Sequence, residues 1–220
     1  MTEIILMSDP KVAAVPVQEC GEPLVDVRLN SPLLVDTRKW QDSAGAFAHL
    51  REGVLTRLLE AQAQLPPGLR LLFVEGYRPP ALQRHYFDKY ATRLRTEHPD
   101  WSPDRIRSAA SRYVSPPEIA PHSAGAAVDL TLADADGNEL DLGTRMNATP
   151  EESAGACYTH ADNITAEART HRTTLGTALT SAGLVNYPTE WWHWSYGDRY
   201  WALQTGAAAA HYGPTVNTAE

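Results

Sequence analysis

The sequence predicts an α+β fold in which a small, largely antiparallel sheet is flanked by helices. Segments with helical and strand periodicity interleave along the 220 residues without a regular repeat. Residues 126–132 alternate apolar side chains with small or polar ones at the period of a strand. The length fits one domain. We expect residues 1–220 to form it, with an irregular segment at 1–40 and a flexible tail at 207–220.

The composition argues against several classes of protein. The chain carries 19 basic and 27 acidic side chains, a formal charge of −8, and no cluster of Lys and Arg, so a nucleic-acid partner is not expected. Glu3 stands where a signal peptide has basic residues. No apolar run approaches the length of a membrane span. We therefore predict a soluble, cytoplasmic protein with no membrane partner, whose Cys20 and Cys157 are reduced.

The first third of the chain contains one helical and one strand pattern after an irregular start. Residues 1–40 alternate short apolar runs with Pro and Gly, which predicts extended segments and turns with a strand near 24–27. Residues 43–64 place apolar side chains on one helical face, and a Pro-Pro-Gly sequence ends this predicted helix. Residues 69–75 are mostly apolar and predict a buried strand that carries Arg78 into the turn that follows.

Two more helices are predicted before the alternating segment. Pro80 suits the first turn of a helix that reaches about His98. Ser102 and Pro103 then supply an N-cap and a first-turn proline for a helix that reaches about Val114. The basic side chains on these helices are interpreted as solvated faces without a function, namely Arg84, Lys89, Arg93, Arg95, Arg105 and Arg107.

A long irregular segment separates the alternating strand from the last predicted helix. The strand ends in a polar turn at 133–138 that predicts a hairpin. Residues 143–164 are rich in Gly, Ser, Thr and Ala, and loops of this length in compact domains are functional or disordered. A helix is predicted over 165–182, ended by Gly183.

Four polar residues in apolar surroundings suggest a metal site. Asp129 lies in the predicted strand between Val128 and Leu130, where a carboxylate is costly to bury unless a cation faces it. His122 precedes it by seven residues. A lone His and Asp would be interpreted as a hydrogen-bonded loop residue and a backbone cap. Downstream, however, Glu190 and His193 stand among Trp191, Trp192 and Trp194, and supply a second imidazole and a spare carboxylate. Three N and O ligands with a Glu beside them are typical of a zinc hydrolase.

These motifs carry a family resemblance. His122-x-x-Gly125-x-Ala127-x-Asp129 followed by Glu190-x-x-His193 resembles the zinc D-alanyl-D-alanine dipeptidases of the VanX type, which are relatives of VanY-type carboxypeptidases and of the Hedgehog metal domain. A third block, Glu75-Gly76-Tyr77-Arg78-Pro79, is similar to the arginine motif of these dipeptidases. The blocks occur in the family's order and cover residues from about 20 to about 205. The resemblance implies the α+β fold of the Hedgehog and DD-peptidase type.

The resemblance also implies a role for each residue. His122, Asp129 and His193 would bind one zinc ion per chain, and Glu190 would be the general base. Arg78 would face the developing oxyanion or the terminal carboxylate of the substrate. Two other interpretations stay open: Arg78 could form a structural ion pair with Glu75, and Glu190 could hold an imidazole N–H. The three tryptophans are expected to pack rather than to bind substrate.

The implied activity is hydrolysis of D-Ala-D-Ala or a similar short D-amino-acid dipeptide. Such an enzyme would act on cell-wall precursors, in antibiotic resistance or in peptidoglycan recycling. Self-association is a further expectation from the family. Two alternatives remain: a zinc amidase acting on another small amide or acylated substrate, and a metal-binding interaction domain without catalysis. Glu190 and Arg78, both present, argue against the second alternative.

Two positions depart from the family pattern. Ala120 stands where VanX-type enzymes have a serine, so one donor near the substrate is missing. Asn147 stands where they have an aspartate that pairs with the substrate ammonium. An amide accepts a hydrogen bond but does not neutralise an ammonium, which is why the amidase alternative is retained. The charge could be replaced by an acid of the same loop, namely Glu151, Glu152 or Asp162.

Overall fold

The structure is a computed structural model that describes residues 4–36, 42 and 44–215. Its helices are α1 (Pro10–Ala14), α2 (Val27–Asn30), α3 (Glu52–Gln64), α4 (Pro80–Glu97), α5 (Pro103–Ala110), α6 (Ala166–Ser181) and α7 (Arg199–Thr205). Its strands are β1 (Leu24–Asp26), β2 (Leu34–Val35), β3 (His49–Arg51), β4 (Arg70–Glu75), β5 (Ala127–Ala133), β6 (Val185–Asn186) and β7 (His193–Ser195). Helices and strands interleave, which confirms the predicted α+β class.

A five-stranded sheet with the order β2-β4-β5-β7-β6 forms the centre of the molecule. β2 runs parallel to β4, and every other neighbouring pair is antiparallel. The sheet is therefore largely antiparallel, as predicted. β1 and β3 form a separate antiparallel pair.

β5 is buried along its whole length because both of its faces are used. Val128, Leu130 and Leu132 belong to the main core, together with side chains of α3 and α6. Burying each of these side chains stabilises the fold by roughly 1.5–3 kcal/mol relative to exposure. The alternation that predicted the strand also leaves Asp129 on the opposite face, where it lines a cavity. Trp191, Trp192 and Trp194 lie in the same core, so their expected packing role is confirmed.

Three of the predicted helices form at the expected signals. α4 begins at Pro80, and α5 begins after Ser102, whose side chain accepts a hydrogen bond from the Arg105 N–H, although α5 ends at Ala110 rather than near Val114. α6 begins after Thr165, whose hydroxyl accepts from the Ala168 N–H.

The predicted helix over 43–64 is wrong in its first part. Residues 46–48 form a 3-10 turn and residues 49–51 form β3, so the α-helix begins only at Glu52. Leu50 is fully buried, as the apolar pattern predicted, but it lies in a strand that pairs with β1 and not in a helix. A strand partner more than twenty residues away thus overrides the local helical pattern.

Both ends of the described chain are more ordered than predicted. Residues 4–36 contain α1 and α2 beside the expected strand near 24–27, and Asp9 and Asp26 cap these two short helices; the rest of the 1–40 segment lies outside the described residues. The flexible tail is wrong for residues 207–215, because Ala210 and Tyr212 are buried and the Gln18 N–H donates to the Ala210 carbonyl at 2.8 Å. The remainder of the predicted tail, residues 216–220, lies outside the described residues.

Cys20 and Cys157 are both free thiols, as predicted. Across the described ranges, every helix is too short or too polar to cross a membrane.

Candidate metal centre and active site

Three separate segments deliver His122, Asp129 and His193 to one point. His122 lies in a 3-10 turn at Pro121–Ala124, which leads into β5. Asp129 lies on β5, and His193 is the first residue of β7. The antiparallel register places Asp129 directly opposite His193, a position in which side chains of neighbouring strands meet. The sheet register therefore brings together two of the predicted ligands, and the turn brings the third.

The three polar atoms of this triad form a nearly equilateral triangle. His193 Nδ1 lies 3.1 Å from Asp129 Oδ1, His122 Nε2 lies 3.2 Å from His193 Nδ1, and His122 Nε2 lies 3.3 Å from Asp129 Oδ1. Tetrahedral zinc with ligands at about 2.0–2.1 Å requires ligand atoms about 3.3–3.4 Å apart. All three side chains are buried. Among the described residues, these three side chains form the one group of His, Cys, Asp or Glu that could hold a metal ion.

Each imidazole presents a defined nitrogen to the triad. His122 Nδ1 lies 2.6 Å from the Gly76 carbonyl, and because a carbonyl only accepts, this nitrogen carries the proton. His122 Nε2 is therefore left with its lone pair toward Asp129 and His193, as a metal ligand needs. For His193 the triad nitrogen is Nδ1. Its Nε2 is buried without a hydrogen-bond partner among the described residues.

Two carboxylates in this site have opposite charge preferences. Burial disfavours the ionised form of Asp129, but His122 and His193 outweigh burial and hold the pKa of Asp129 well below its usual range. Burial and the neighbouring Asp129 raise the pKa of Glu190 well above its usual range, with Arg78 opposing them. Burial lowers the pKa of His193, against the influence of Asp129. The site thus contains one carboxylate suited to bind a cation and one suited to hold a proton.

Glu190 lies beside the triad without belonging to it. Its Oε2 is 3.9 Å from His193 Nδ1, and the residue is buried against the cavity. A tight turn sets this spacing, because the His193 N–H donates to the Glu190 carbonyl at 3.2 Å. The Asn186 side-chain amide donates to the carbonyls of both residues at 3.0 Å. The turn that carries the Glu-x-x-His motif is therefore held at both ends.

Arg78 forms an ion pair with Glu75, as one of the two interpretations of this residue predicted, and it also lines the cavity. Its Nε donates to Glu75 Oε1 at 2.7 Å, and its Nη1 donates to Gln83 Oε1 at 2.9 Å. Burial disfavours the guanidinium charge, but Glu75 and then Asp129 outweigh burial and raise the pKa of Arg78. These contacts hold the permanently charged guanidinium of Arg78 at the cavity wall near Glu190.

An open cavity of about 520 Å³ adjoins the triad. It is lined by the triad, Glu190 and Arg78, and also by Asn147 and Glu152 of the long loop. Lys89 and Arg93 are exposed, as predicted for solvated faces, and both also line the cavity from α4. Sequence reasoning also missed three aromatic residues of the wall, Tyr86, Tyr90 and Tyr113. The available signal was the spacing of 86, 89, 90 and 93, which puts these residues on one face of α4.

The long loop over 143–164 is ordered by its own contacts and contributes to the cavity. Asn147 has a positive φ of 61°, which Asn tolerates, and its carbonyl accepts from the Tyr113 hydroxyl. Glu152 binds Arg145 at 2.8 Å, and both residues line the cavity. Glu151 lies outside the cavity lining and binds Arg112 and Tyr90.

The other two positions singled out in the sequence lie away from the cavity. Asp162 lines a second depression between α6 and the loop. Ala120 is buried and is not part of the cavity lining. Of the three acids considered as substitutes for the missing aspartate, Glu152 is therefore the one that reaches the cavity.

Comparisons with known proteins point to one family. A family model described as D-Ala-D-Ala dipeptidase, Peptidase_M15, matches residues 37–209. A D-alanyl-D-alanine dipeptidase of Synechocystis sp. is 30% identical over 221 residues, covering 87% of this chain and 88% of that protein. Enzymes of the same description from Escherichia coli and Enterococcus faecium are 36% and 30% identical over 72 and 135 residues, covering 33% and 60% of this chain and 35% and 64% of their own lengths. A solved structure of the LdcB LD-carboxypeptidase is 17% identical, with a TM-score of 0.46 over 88% of this chain and 77% of that one.

Proposed function

Because this chain belongs to the D-Ala-D-Ala dipeptidase family of metallopeptidases, we propose that it is a zinc enzyme that hydrolyses D-Ala-D-Ala or a similarly short D-amino-acid dipeptide. The observation that carries the proposal is the triangle of His122 Nε2, Asp129 Oδ1 and His193 Nδ1, with edges of 3.1 to 3.3 Å. Two imidazoles and one carboxylate suit zinc better than calcium or magnesium, which prefer oxygen ligands alone. Bound zinc supplies Lewis acidity, which makes water nucleophilic near neutral pH and polarises the scissile carbonyl.

Glu190 is the general base in this proposal. It would take a proton from the attacking water and deliver a proton to the amine nitrogen as the C–N bond breaks. Its Oε2 lies 3.9 Å from His193 Nδ1, and Glu190 is outside the group of side chains that could hold a metal ion, which supports a role outside metal binding. The raised pKa of Glu190, caused by burial and by Asp129, favours holding a proton between the two transfers. A cation held by the triad would favour the ionised form that begins the cycle.

Arg78 is proposed to stabilise negative charge on the substrate. Glu75 and Gln83 hold two of its nitrogens at 2.7 and 2.9 Å, so the guanidinium is oriented before substrate arrives. A preoriented donor of this kind acts on the developing oxyanion or on the terminal carboxylate. The ion pair with Glu75 and the catalytic role are therefore compatible.

The amidase alternative is supported by Asn147, which occupies the cavity wall without a charge. Glu152 supports the dipeptidase instead, because it brings a carboxylate to the same cavity. A metal-binding interaction domain without catalysis does not fit a chain of a peptidase family that retains Glu190 and Arg78 in one cavity. A single peptidase domain over 1–220, a cytoplasmic location, a role in antibiotic resistance and self-association stay predictions.

A substrate panel tests the proposed function. The zinc-loaded protein should hydrolyse D-Ala-D-Ala and leave L-Ala-L-Ala essentially intact, with amine release as the readout. Hydrolysis of N-acetylated D-amino-acid amides with no turnover of D-Ala-D-Ala would replace the dipeptidase with the amidase. Absence of turnover on the whole panel would contradict both.

A further inference from the structure

The second nitrogen of His193 requires an acceptor. In the proposed function His193 binds the metal through Nδ1, so a neutral imidazole must carry its proton on Nε2. Nε2 is buried and has no hydrogen-bond partner among the described residues. The equivalent need is met for His122, whose Nδ1–H donates to the Gly76 carbonyl at 2.6 Å. Metal-binding histidines almost always donate their other N–H, so His193 is the incomplete half of this pair.

Asp198 offers a matching acceptor. It is the N-cap of α7, and its Oδ1 accepts from the N–H groups of Tyr200 at 2.7 Å and Trp201 at 3.3 Å. Its other oxygen, Oδ2, is buried and makes no hydrogen bond within the described part of the chain. The Ser195 side chain lies close enough to favour the charged form of Asp198, but Oδ2 lacks a hydrogen bond of normal geometry to any described residue. The side chain is 2% exposed, so bulk water does not satisfy it.

The chain path places Asp198 five residues after His193, beyond direct hydrogen bonding but within electrostatic reach. β7 ends at Ser195, and Asp198 follows after a turn in which Gly197 has a φ of +77°. A Cβ at Gly197 would lie 2.5 Å from the Tyr212 ring, so this close turn requires glycine. His193 and Asp198 interact electrostatically, each favouring the charged form of the other.

Another polar neighbour of His193 is already engaged. The Tyr187 ring packs against the His193 ring with centroids 6.0 Å apart. Its hydroxyl donates to the Ser111 carbonyl at 2.5 Å and accepts from the Met7 N–H at 3.1 Å. Asp198 is therefore the neighbour with an unused buried acceptor.

We propose that Asp198 is a positioning residue whose Oδ2 accepts the Nε2–H of His193 through one buried water, because the two atoms lie beyond direct hydrogen-bonding distance. This contact would fix the tautomer and the ring orientation of His193, so that Nδ1 meets Asp129 and His122 at metal-binding distance. One carboxyl group would then both begin α7 and orient a metal ligand. The inference rests on the proposed function, because it assigns Nδ1 of His193 to the metal.

Asp198→Asn separates the two roles of this side chain. The amide oxygen can still cap α7, since Asn and Asp are comparable N-caps. The amide NH₂ then replaces Oδ2 and can no longer accept a hydrogen bond from the bridging water. The matched control is Thr165→Ala, which removes the cap of α6, a hydroxyl that accepts from the Ala168 N–H at 3.0 Å, and leaves His193 untouched.

The readout is the zinc dissociation constant, measured by competition with a chelator, beside the melting temperature of the metal-free protein. Asp198→Asn should weaken zinc binding by about 10- to 100-fold, the usual effect of removing a partner behind a metal ligand, with little change in the metal-free melting temperature. Thr165→Ala should lower the melting temperature and keep wild-type zinc affinity.

Two results would overturn the inference in distinguishable ways. Zinc affinity of Asp198→Asn within twofold of wild type would remove the role of Asp198 and leave the proposed function intact. A wild-type protein that binds no zinc would remove the proposed function, and the inference with it.

Discussion

At the scale of single residues, Asp129 and Glu190 divide two tasks that the same side-chain chemistry could perform. Asp129 faces two imidazoles, which hold its pKa well below the usual range, so it stays ionised and can bind a cation. Burial and the charge of Asp129 raise the pKa of Glu190 well above its usual range. The two environments therefore suit Asp129 to bind the metal and Glu190 to act as the base. The sequence motif located both residues, but their different charge preferences follow from the packed site.

Glu190→Gln should retain zinc and lose turnover. The substitution keeps the shape of the side chain and removes the proton acceptor, so kcat should fall by on the order of 10²- to 10⁴-fold. Metal content and steady-state rates on D-Ala-D-Ala check this. Glu60→Gln, on the exposed side of α3, is the control and should behave as wild type. Loss of zinc from Glu190→Gln would instead make Glu190 a metal ligand.

Arg78→Ala should lower kcat by on the order of a hundredfold, because an oriented donor to the developing charge is removed. The melting temperature reports separately on the ion pair with Glu75, which joins Arg78 Nε to Glu75 Oε1 at 2.7 Å. A variant that melts earlier but turns over at the wild-type rate would reduce Arg78 to a structural residue.

Asn147→Asp should shift specificity toward substrates with a free amine. The positive φ of 61° at this position is accessible to Asp as well as Asn, so the loop should keep its shape. We expect the ratio of kcat/KM for D-Ala-D-Ala over its N-acetyl analogue to rise by on the order of tenfold, because a charge now faces the ammonium.

Glu152→Gln is the companion variant to Asn147→Asp. The alternative outcome is a wild type that already requires a free amine, with the ratio unchanged in Asn147→Asp and strongly lowered in Glu152→Gln. That combination of results would show that Glu152 holds the substrate ammonium. In that case the amidase alternative loses its main support.

At the scale of elements, the local sequence predicted the helices and strands whose apolar pattern and cap residues match the way they pack in the structure. β5, α4 and α6 form where period, proline and cap residues indicated. The first part of the predicted 43–64 helix failed because residues 49–51 pair with β1, a contact that no local pattern contains. The cavity face of α4 was missed for a related reason. Tyr86, Lys89 and Arg93 are exposed, so their part in the cavity lining depends on the position of neighbouring segments, which the local sequence does not contain.

Gly76→Ala should destabilise the protein and weaken metal binding. A Cβ there would lie 2.3 Å from the His49 carbonyl and 2.8 Å from Leu50, so the backbone that accepts from His122 Nδ1 must shift. We expect a loss of about 1–3 kcal/mol in the free energy of unfolding, typical of overpacking. Urea denaturation of the metal-free protein measures the loss.

Gly176→Ala on α6 is the matched control for Gly76→Ala. Its Cβ would meet the Trp194 ring at 3.5 Å, an ordinary contact. The added methyl group should stabilise the helix by up to about 1 kcal/mol. Equal stability of the two variants would contradict the close packing at Gly76.

At the scale of the whole molecule, the metal site depends on contacts between segments far apart in the chain. His122 meets His193 across 71 residues, Asp129 meets His193 across 64, and Gly76 holds His122 across 46. The motifs named these residues because a metal site restricts residue type and spacing. The packed end over 207–215 carried no such signal. It is ordered by a bridge between Val17 and Ala210, which composition alone cannot indicate.

The most direct test of the account is a zinc titration of chelator-treated protein with D-Ala-D-Ala hydrolysis as the readout. The triad predicts that the rate rises linearly to about one zinc per chain and then stays level. His193→Ala, which removes one of three ligands, should stay inactive over the same range. Full activity without added metal, or a His193→Ala titration that matches wild type, would contradict a zinc site formed by His122, Asp129 and His193.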